Sequence, residues 1–155
     1  MRRDYFTISV SNVDWVDDGD PEVPLVHIDF QGPEATLRSR LTDDDGTVLD
    51  AGDTDVAFRL KTPVDDPDAE GVVSVTNRLT GDYILELNVD AEDVLDFIRA
   101  ARQYAEATDG DATYEVDIEF DGEPFVTYEK TTFLVYNRDG DLLRGKSLIP
   151  SGVEL

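Results

Sequence analysis

The chain has no cysteine, which removes disulfides, thiol nucleophiles and thiolate metal sites together. A single histidine, His27, leaves no set of imidazoles for a His-rich metal centre. It reads as a surface residue, on the opposite strand face from Val26 and Ile28, and no G-x-S-x-G nucleophile elbow occurs that would recruit it for catalysis. Nowhere does the chain run for roughly 18 uncharged apolar residues, the length of a membrane-spanning helix. Its opening, Met1-Arg2-Arg3-Asp4-Tyr5-Phe6, passes into strand-like alternation without the apolar centre of a secretion signal. These absences lead to the expectation of a soluble cytoplasmic protein with no cofactor, no metal and no membrane partner.

What is present in abundance is acid. Twenty-five Asp and 11 Glu face 10 Arg and 3 Lys, a net charge of −23. Yet 40% of the residues are apolar, with 7 Phe, 6 Tyr and 1 Trp, and disordered acidic chains lack such aromatics. A length of 155 residues suits a single domain over 1–155, able to bury roughly 68–70% of its unfolded surface. The kind of acid matters more than its amount. Asp exposes little hydrocarbon, and avoiding Lys avoids a four-carbon stem, so apolar surface per charge is kept low. Two carboxylates about 7 Å apart in water repel by about 0.6 kcal/mol, whereas the Debye length of about 3 Å at 1 M salt removes most of that strain. The charge is therefore read as adaptation to a salt-rich cytoplasm. Nucleic acid is not expected as a partner, because only a local basic patch would argue for it.

A period of 2 marks strands at Phe6-Ile8-Val10, Val26-Ile28-Phe30 and Val56-Phe58-Leu60. Strands over 71–77 and 83–89 follow, joined by the hairpin turn Leu79-Thr80-Gly81-Asp82. Further on come Tyr114-Val116-Ile118-Phe120, a tight turn at Asp121-Gly122, and 133–136 joined to Leu142-Leu143 through Asn137–Gly140. Residues 33–41 permit a short helix but also alternate as a strand, which is preferred. One long helix is expected over about 90–107, capped by Asp90, with Val94, Phe97, Ile98, Ala101, Tyr104 and Ala105 on its apolar face and Asp109-Gly110 at its end. The expected fold class is α+β: about nine mostly antiparallel strands with that helix packed on a sheet face. Ile28-Asp29-Phe30-Gln31-Gly32 also resembles Ile118-Glu119-Phe120-Asp121-Gly122, too short a match to imply duplication.

Gly140–Ser147 satisfies G-x-x-x-x-G-K-[ST] letter for letter, but few residues follow and Pro150 breaks them, so the helix that a phosphate loop requires is not expected. Nucleotide binding there is a remote alternative. Glu115, Asp117, Glu119 and Asp121 share one strand face and could hold a divalent cation or supply an acid and a base; the plainer reading is a solvated face, because a strand face diverges. The acid clusters at Asp43–Gly46 and Asp139–Asp141 read as turns.

Five residues stand out as candidate ligand or partner contacts. Trp15, in an acidic loop with Asp14, Asp17, Asp18 and Asp20, could stack on a ligand or pin the loop. Arg38 with Arg40 on one strand face, and Arg99 with Arg102 on one helix face, would form an anion site if the pairs converged; salt bridges to nearby acids are the plainer use. The charge-poor tail, residues 148–155, is expected to dock on the body or on a partner.

Met1–Thr7, Asn12-Val13-Asp14-Trp15, Gly71–Arg78 and Ser147–Val153 together resemble a small family of uncharacterised proteins from halophilic archaea, a domain of unknown function. The resemblance spans the whole chain, implies no activity, and agrees with the salt-adapted reading of the charge. The leading expectation is a non-enzymatic cytosolic binding or interaction module with a protein or small-molecule partner. The alternative is a small carboxylate- or metal-dependent hydrolase.

Overall fold

At Phe6-Ile8-Val10, Val26-Ile28-Phe30, Val56-Phe58-Leu60 and Tyr114-Val116-Ile118-Phe120, where apolar and polar residues alternate with the pleat, the structure, a computed structural model that describes residues 3–16, 19–63 and 65–150, places strands. Strands β1 (Phe6–Ser11), β2 (Leu25–Phe30), β6 (Tyr114–Phe120) and β7 (Glu123–Lys130) form one sheet in the order β1-β2-β6-β7. Strands β3 (Thr54–Leu60), β4 (Glu70–Asn77), β5 (Tyr83–Asp90) and β8 (Leu134–Tyr136) form a second, in the order β5-β4-β3-β8. Two helices complete the α+β fold: α1 (Glu34–Arg40) and the long α2 (Ala91–Thr108).

The expected hairpins at 79–82 and Asp121-Gly122 are present, joining antiparallel neighbours. Gly122, at φ 82°, supplies the left-handed turn conformation. The described residues hold eight strands in place of about nine. Two adjacencies are parallel, β2 with β6 and β3 with β8. Pro124 lies in β7, which pairs only with β6 within its sheet, so its missing N–H costs no ladder bond on the open side.

Residues 33–41 correct the preferred strand. Leu37 and Leu41, one helical turn apart, are both fully buried, and the Leu41 N–H bonds to the Leu37 carbonyl at 3.0 Å. A strand would have put the Leu37-Ser39-Leu41 set on one face, and the helix buries the two leucines without Ser39. Arg38 and Arg40 therefore do not share a face.

On α2 the apolar face is as expected: Val94, Phe97, Ile98 and Ala101 are buried, with Tyr104 and Ala105 half-buried. The Asp90 side chain makes no capping bond, a correction to its expected role. The helix ends where Asp109 takes the left-handed conformation, φ 55°, and the Gly110 N–H bonds to the Ala105 carbonyl at 3.1 Å.

Both inner sheet faces and α2 share one apolar cluster. Phe97 lies 5.4 Å between ring centroids from Tyr114 of β6 and 4.9 Å from Phe133, next to β8, so the helix seals the space between the sheets. At Gly71 in β4 an added Cβ would stand 2.3 Å from the Arg59 carbonyl oxygen, so this crossing of backbone and the Phe58 ring tolerates only glycine. Against the core, around Phe58, Val94 and Val135, lies a cavity of about 20 Å³, too small for a substrate.

Candidate functional site

Because the inner positions are filled, chemistry is left to the outer faces. On the first sheet, alternation turns His27 and Asp29 of β2, Glu115, Asp117 and Glu119 of β6, and Thr127 of β7 outward. The parallel register pairs His27 with Asp117 and Asp29 with Glu119. His27 Nδ1 lies 3.4 Å from an Asp117 oxygen and 3.7 Å from a Glu119 oxygen, and one ligand atom from each of the three residues falls within 4.8 Å of the others. The Thr127 hydroxyl donates to the second Asp117 oxygen. Asp29 is engaged elsewhere, accepting from the Gly122 N–H at 2.8 Å and from the Gln31 amide at 3.1 Å. Asp121 leaves the acid row expected for 115–121, because it takes a left-handed turn conformation at φ 49°.

On the second sheet the outward positions carry Asp55, Ala57 and Arg59 of β3, Val72 and Ser74 of β4, and Glu86 and Asn88 of β5. A shallow open depression of about 420 Å³ lies across this face, lined by Arg59, Lys61, Val72, Ser74, Tyr83, Glu86 and Arg138. Arg59 donates to the Arg138 carbonyl at 3.0 Å and Lys61 to the Asn88 side-chain oxygen at 2.7 Å. Among the described residues neither they nor Arg138 forms an ion pair with a carboxylate. Tyr83 is 58% exposed and also lines a second depression of about 380 Å³, with Arg40, Leu79, Asp43 and Asp82.

The five sequence candidates are dispersed. Arg38 pairs with Glu34 at 2.7 Å and lies over the rings of Phe120 and Phe125, 5.1 and 4.7 Å from their centroids. Arg40 donates to the Ile84 carbonyl at 3.4 Å. Arg99 pairs with Asp96 at 3.5 Å, while Arg102 clamps the Gly145 and Ser147 carbonyls at 2.7 and 2.9 Å. Arg99 and Arg102 line a depression together with Lys146, and Arg40 lines another, so the two pairs do not converge. Half-buried Trp15 directs its indole N–H to the Asn12 carbonyl; Asp17 and Asp18, its expected acidic neighbours, lie outside the described residues.

The phosphate-loop pattern is put to another use. Its Ser147 hydroxyl donates to the Leu143 carbonyl at 2.8 Å and accepts from the Val135 N–H at 2.9 Å, and no α-helix follows it among the described residues. Of the tail, Leu148 is buried and exchanges both backbone bonds with Phe133, at 2.9 and 2.8 Å. Residues 151–155 lie outside the described set.

A family model matches residues 1–155, the whole chain. The chain belongs to DUF5793, a family of unknown function. No curated protein and no solved structure matched it. In this DUF5793 chain no described helix is long and apolar enough to cross a membrane.

Buried polar groups tie the sheets together. Lys130 of β7 is 7% exposed and donates to the Ala51 and Thr54 carbonyls at 2.7 and 2.6 Å, joining the end of the first sheet to the start of β3. Burial, with a smaller effect from Arg78, pulls its pKa below the ordinary lysine value. Tyr114 donates to the Thr132 carbonyl at 2.6 Å. The Tyr128 hydroxyl has no hydrogen-bond partner among the described residues, and burial followed by the charges of Asp50 and Asp53 pushes its pKa up to about 12.

The acid row of β6 was legible as a possible cation-binding face, but not the approach of His27 to it, and the second surface was not legible at all. Nothing local marks Arg59, Lys61 and Arg138 as neighbours. For His27 the faint signal was the likeness of 28–32 to 118–122, two segments that lie side by side in register from Ile28 with Ile118 to Phe30 with Phe120.

Proposed function

We propose that the chain is a non-enzymatic interaction module that docks an acidic polypeptide segment on the outer face of its second sheet. The observation that carries this reading is the gathering of Arg59, Lys61 and Arg138 around one open depression, without carboxylate partners among the described residues, in a chain of net charge −23. Guanidinium groups without a carboxylate partner can donate to one in a bidentate fork. The depression is shallow and solvent-exposed, where a single ion pair contributes about 0–1 kcal/mol, so a small anion gains little. A polypeptide segment gains more, because it also covers Tyr83 and Val72 while bringing several carboxylates to the three cations. The filled core and the same-strand placement of Asp117 and Glu119 favour a binding role over a hydrolase, which would need opposed acids across a cleft. The acid excess and the resemblance to halophile proteins support a module working in a salt-rich cytoplasm, where screening weakens the repulsion between two acidic partners.

A fluorescent decapeptide of alternating Glu and Tyr, titrated by anisotropy in 1 M KCl, tests the proposal. Arg59→Ala and Arg138→Ala are each expected to weaken binding about two- to fivefold, the effect of removing one solvent-exposed charged contact. Absence of peptide binding, or equal binding by both variants and the parent, would overturn it.

A further inference from the structure

The geometry points to a second site, independent of the docking face: we propose that His27, Asp117 and Glu119 bind a first-row divalent transition-metal ion on the outer face of the first sheet. Two elements supply the ligands, and their parallel in-register pairing brings His27 opposite Asp117. The row of acids on β6 diverges by itself; the imidazole from β2 is what makes the ligand atoms converge. His27 Nδ1 stands 3.4 and 3.7 Å from the two carboxylates, and all three ligand atoms lie within 4.8 Å of one another. Ligands on adjacent vertices around an ion bound at about 2.0–2.2 Å lie roughly 3 Å apart, so side-chain rotation alone closes the site.

The surroundings suit a metal as well. The Thr127 hydroxyl holds Asp117 by the oxygen that does not face His27, the kind of outer hydrogen bond that orients a ligating carboxylate. Asp29, the next acid along β2, is occupied by Gly122 and Gln31, so it leaves the ligand set at one imidazole and two carboxylates. That mixed nitrogen and oxygen set selects zinc, manganese, cobalt or nickel over the all-oxygen preference of calcium and magnesium. The three side chains are half-buried, 34% exposed at His27, so water can fill the remaining coordination positions.

The test uses the full chain at pH 7.5, zinc as the probe in calorimetry, and the NMR signals of the imidazole, which belong to His27 because the chain has one histidine. Zinc is expected to bind with a Kd on the order of 10 µM, unaffected by millimolar magnesium, and to shift the imidazole signals. His27→Gln and Asp117→Asn, each checked for folding by circular dichroism, should lose about tenfold or more in affinity, while Glu115→Gln on the same strand face should stay within about twofold. Imidazole signals unmoved at saturating zinc would overturn the proposal. So would a His27→Gln variant that binds zinc as tightly as the parent, since the ion would then be held by carboxylates alone. The spectra of the parent protein decide the matter even where a variant fails to fold.

Discussion

On the first sheet the outward positions of β2 and β6 hold His27, Asp29, Glu115, Asp117 and Glu119, whereas those of β3 and β4 on the second hold Ala57, Arg59, Val72 and Ser74 beside Asp55 and Thr76. The inward positions of the same strands are nearly interchangeable: Val26, Ile28, Phe30, Val116, Ile118 and Phe120 on one side, Val56, Phe58, Leu60, Val73 and Val75 on the other. Both inner sets answer to one demand, filling a common core at high density, and that demand accepts any apolar residues of suitable volume. The outer faces answer to no packing demand, so their difference is informative about what each face meets. One face gathers carboxylates and an imidazole, the set we propose for a cation. The other carries Arg59 among uncharged Ala57, Val72 and Ser74, with Lys61 and Arg138 beside it, the face we propose for an anionic partner.

This contrast assumes two faces of one cooperative body, and Phe97→Ala is the harshest way to break it. The ring touches Tyr114 on the side of the first sheet and Phe133 on that of the second. Its removal is expected to cost about 3–5 kcal/mol in a single denaturant transition followed by both tyrosine fluorescence and circular dichroism. A loss below about 1 kcal/mol, or two separate transitions, would mean that the sheets are independent units and that their outer faces should not be compared.

A smaller effect sharpens the inner side of the comparison. Tyr128 of the first sheet has its pKa raised from 10 to about 12, so the folded form holds the proton after the unfolded form has lost it. The stabilisation is complete below pH 10 and is lost as pH rises toward 12, about 3 kcal/mol in all. In Tyr128→Phe the buried hydroxyl, which has no partner among the described residues, is gone, so the variant should match or slightly exceed the parent at pH 7, and its advantage should grow between pH 10 and 12 in chemical denaturation. An advantage independent of pH would show that Tyr128 ionises as freely in the folded protein as in the unfolded one.

The smallest effect concerns the acidic face directly. Glu115 and Glu129 stand opposite each other across β6 and β7, a like-charge pair that costs about 0.2–1 kcal/mol in dilute buffer. Glu129→Gln should raise the melting temperature by a few degrees at 0.1 M KCl and by nothing measurable at 2 M, where the charges are screened. The parent itself should gain stability over the same range, and a parent whose melting temperature stays flat would contradict the reading of the acid as salt adaptation.

Much of the architecture was legible because it is local. The alternation in Val26-Ile28-Phe30 and Tyr114-Val116-Ile118-Phe120 names the inward faces of β2 and β6, and the spacing of Val94, Phe97, Ile98 and Ala101 names the buried face of α2. Over 33–41 two periods fitted the same letters; burial of Leu37 with Leu41, without Ser39, selected the helix. The arginine candidates were legible as scarce charges and not as contacts. Arg102 is committed to carbonyls 43 and 45 positions away, a pairing that no local pattern encodes.

By itself the sequence determined which residues face inward, where the chain turns, the long helix, the lack of thiol chemistry and the net charge of −23. The tertiary structure alone decided which strands became neighbours: β2 beside β6 in parallel, with Asp29 accepting from Gly122 across 93 positions, and β3 beside β8. The reason is physical. Periodicity acts between residues a turn or a pleat apart, whereas the register of strands distant in sequence is set by packing against a common core, and the same packing brought His27 to Asp117 and gathered three cations on the opposite face.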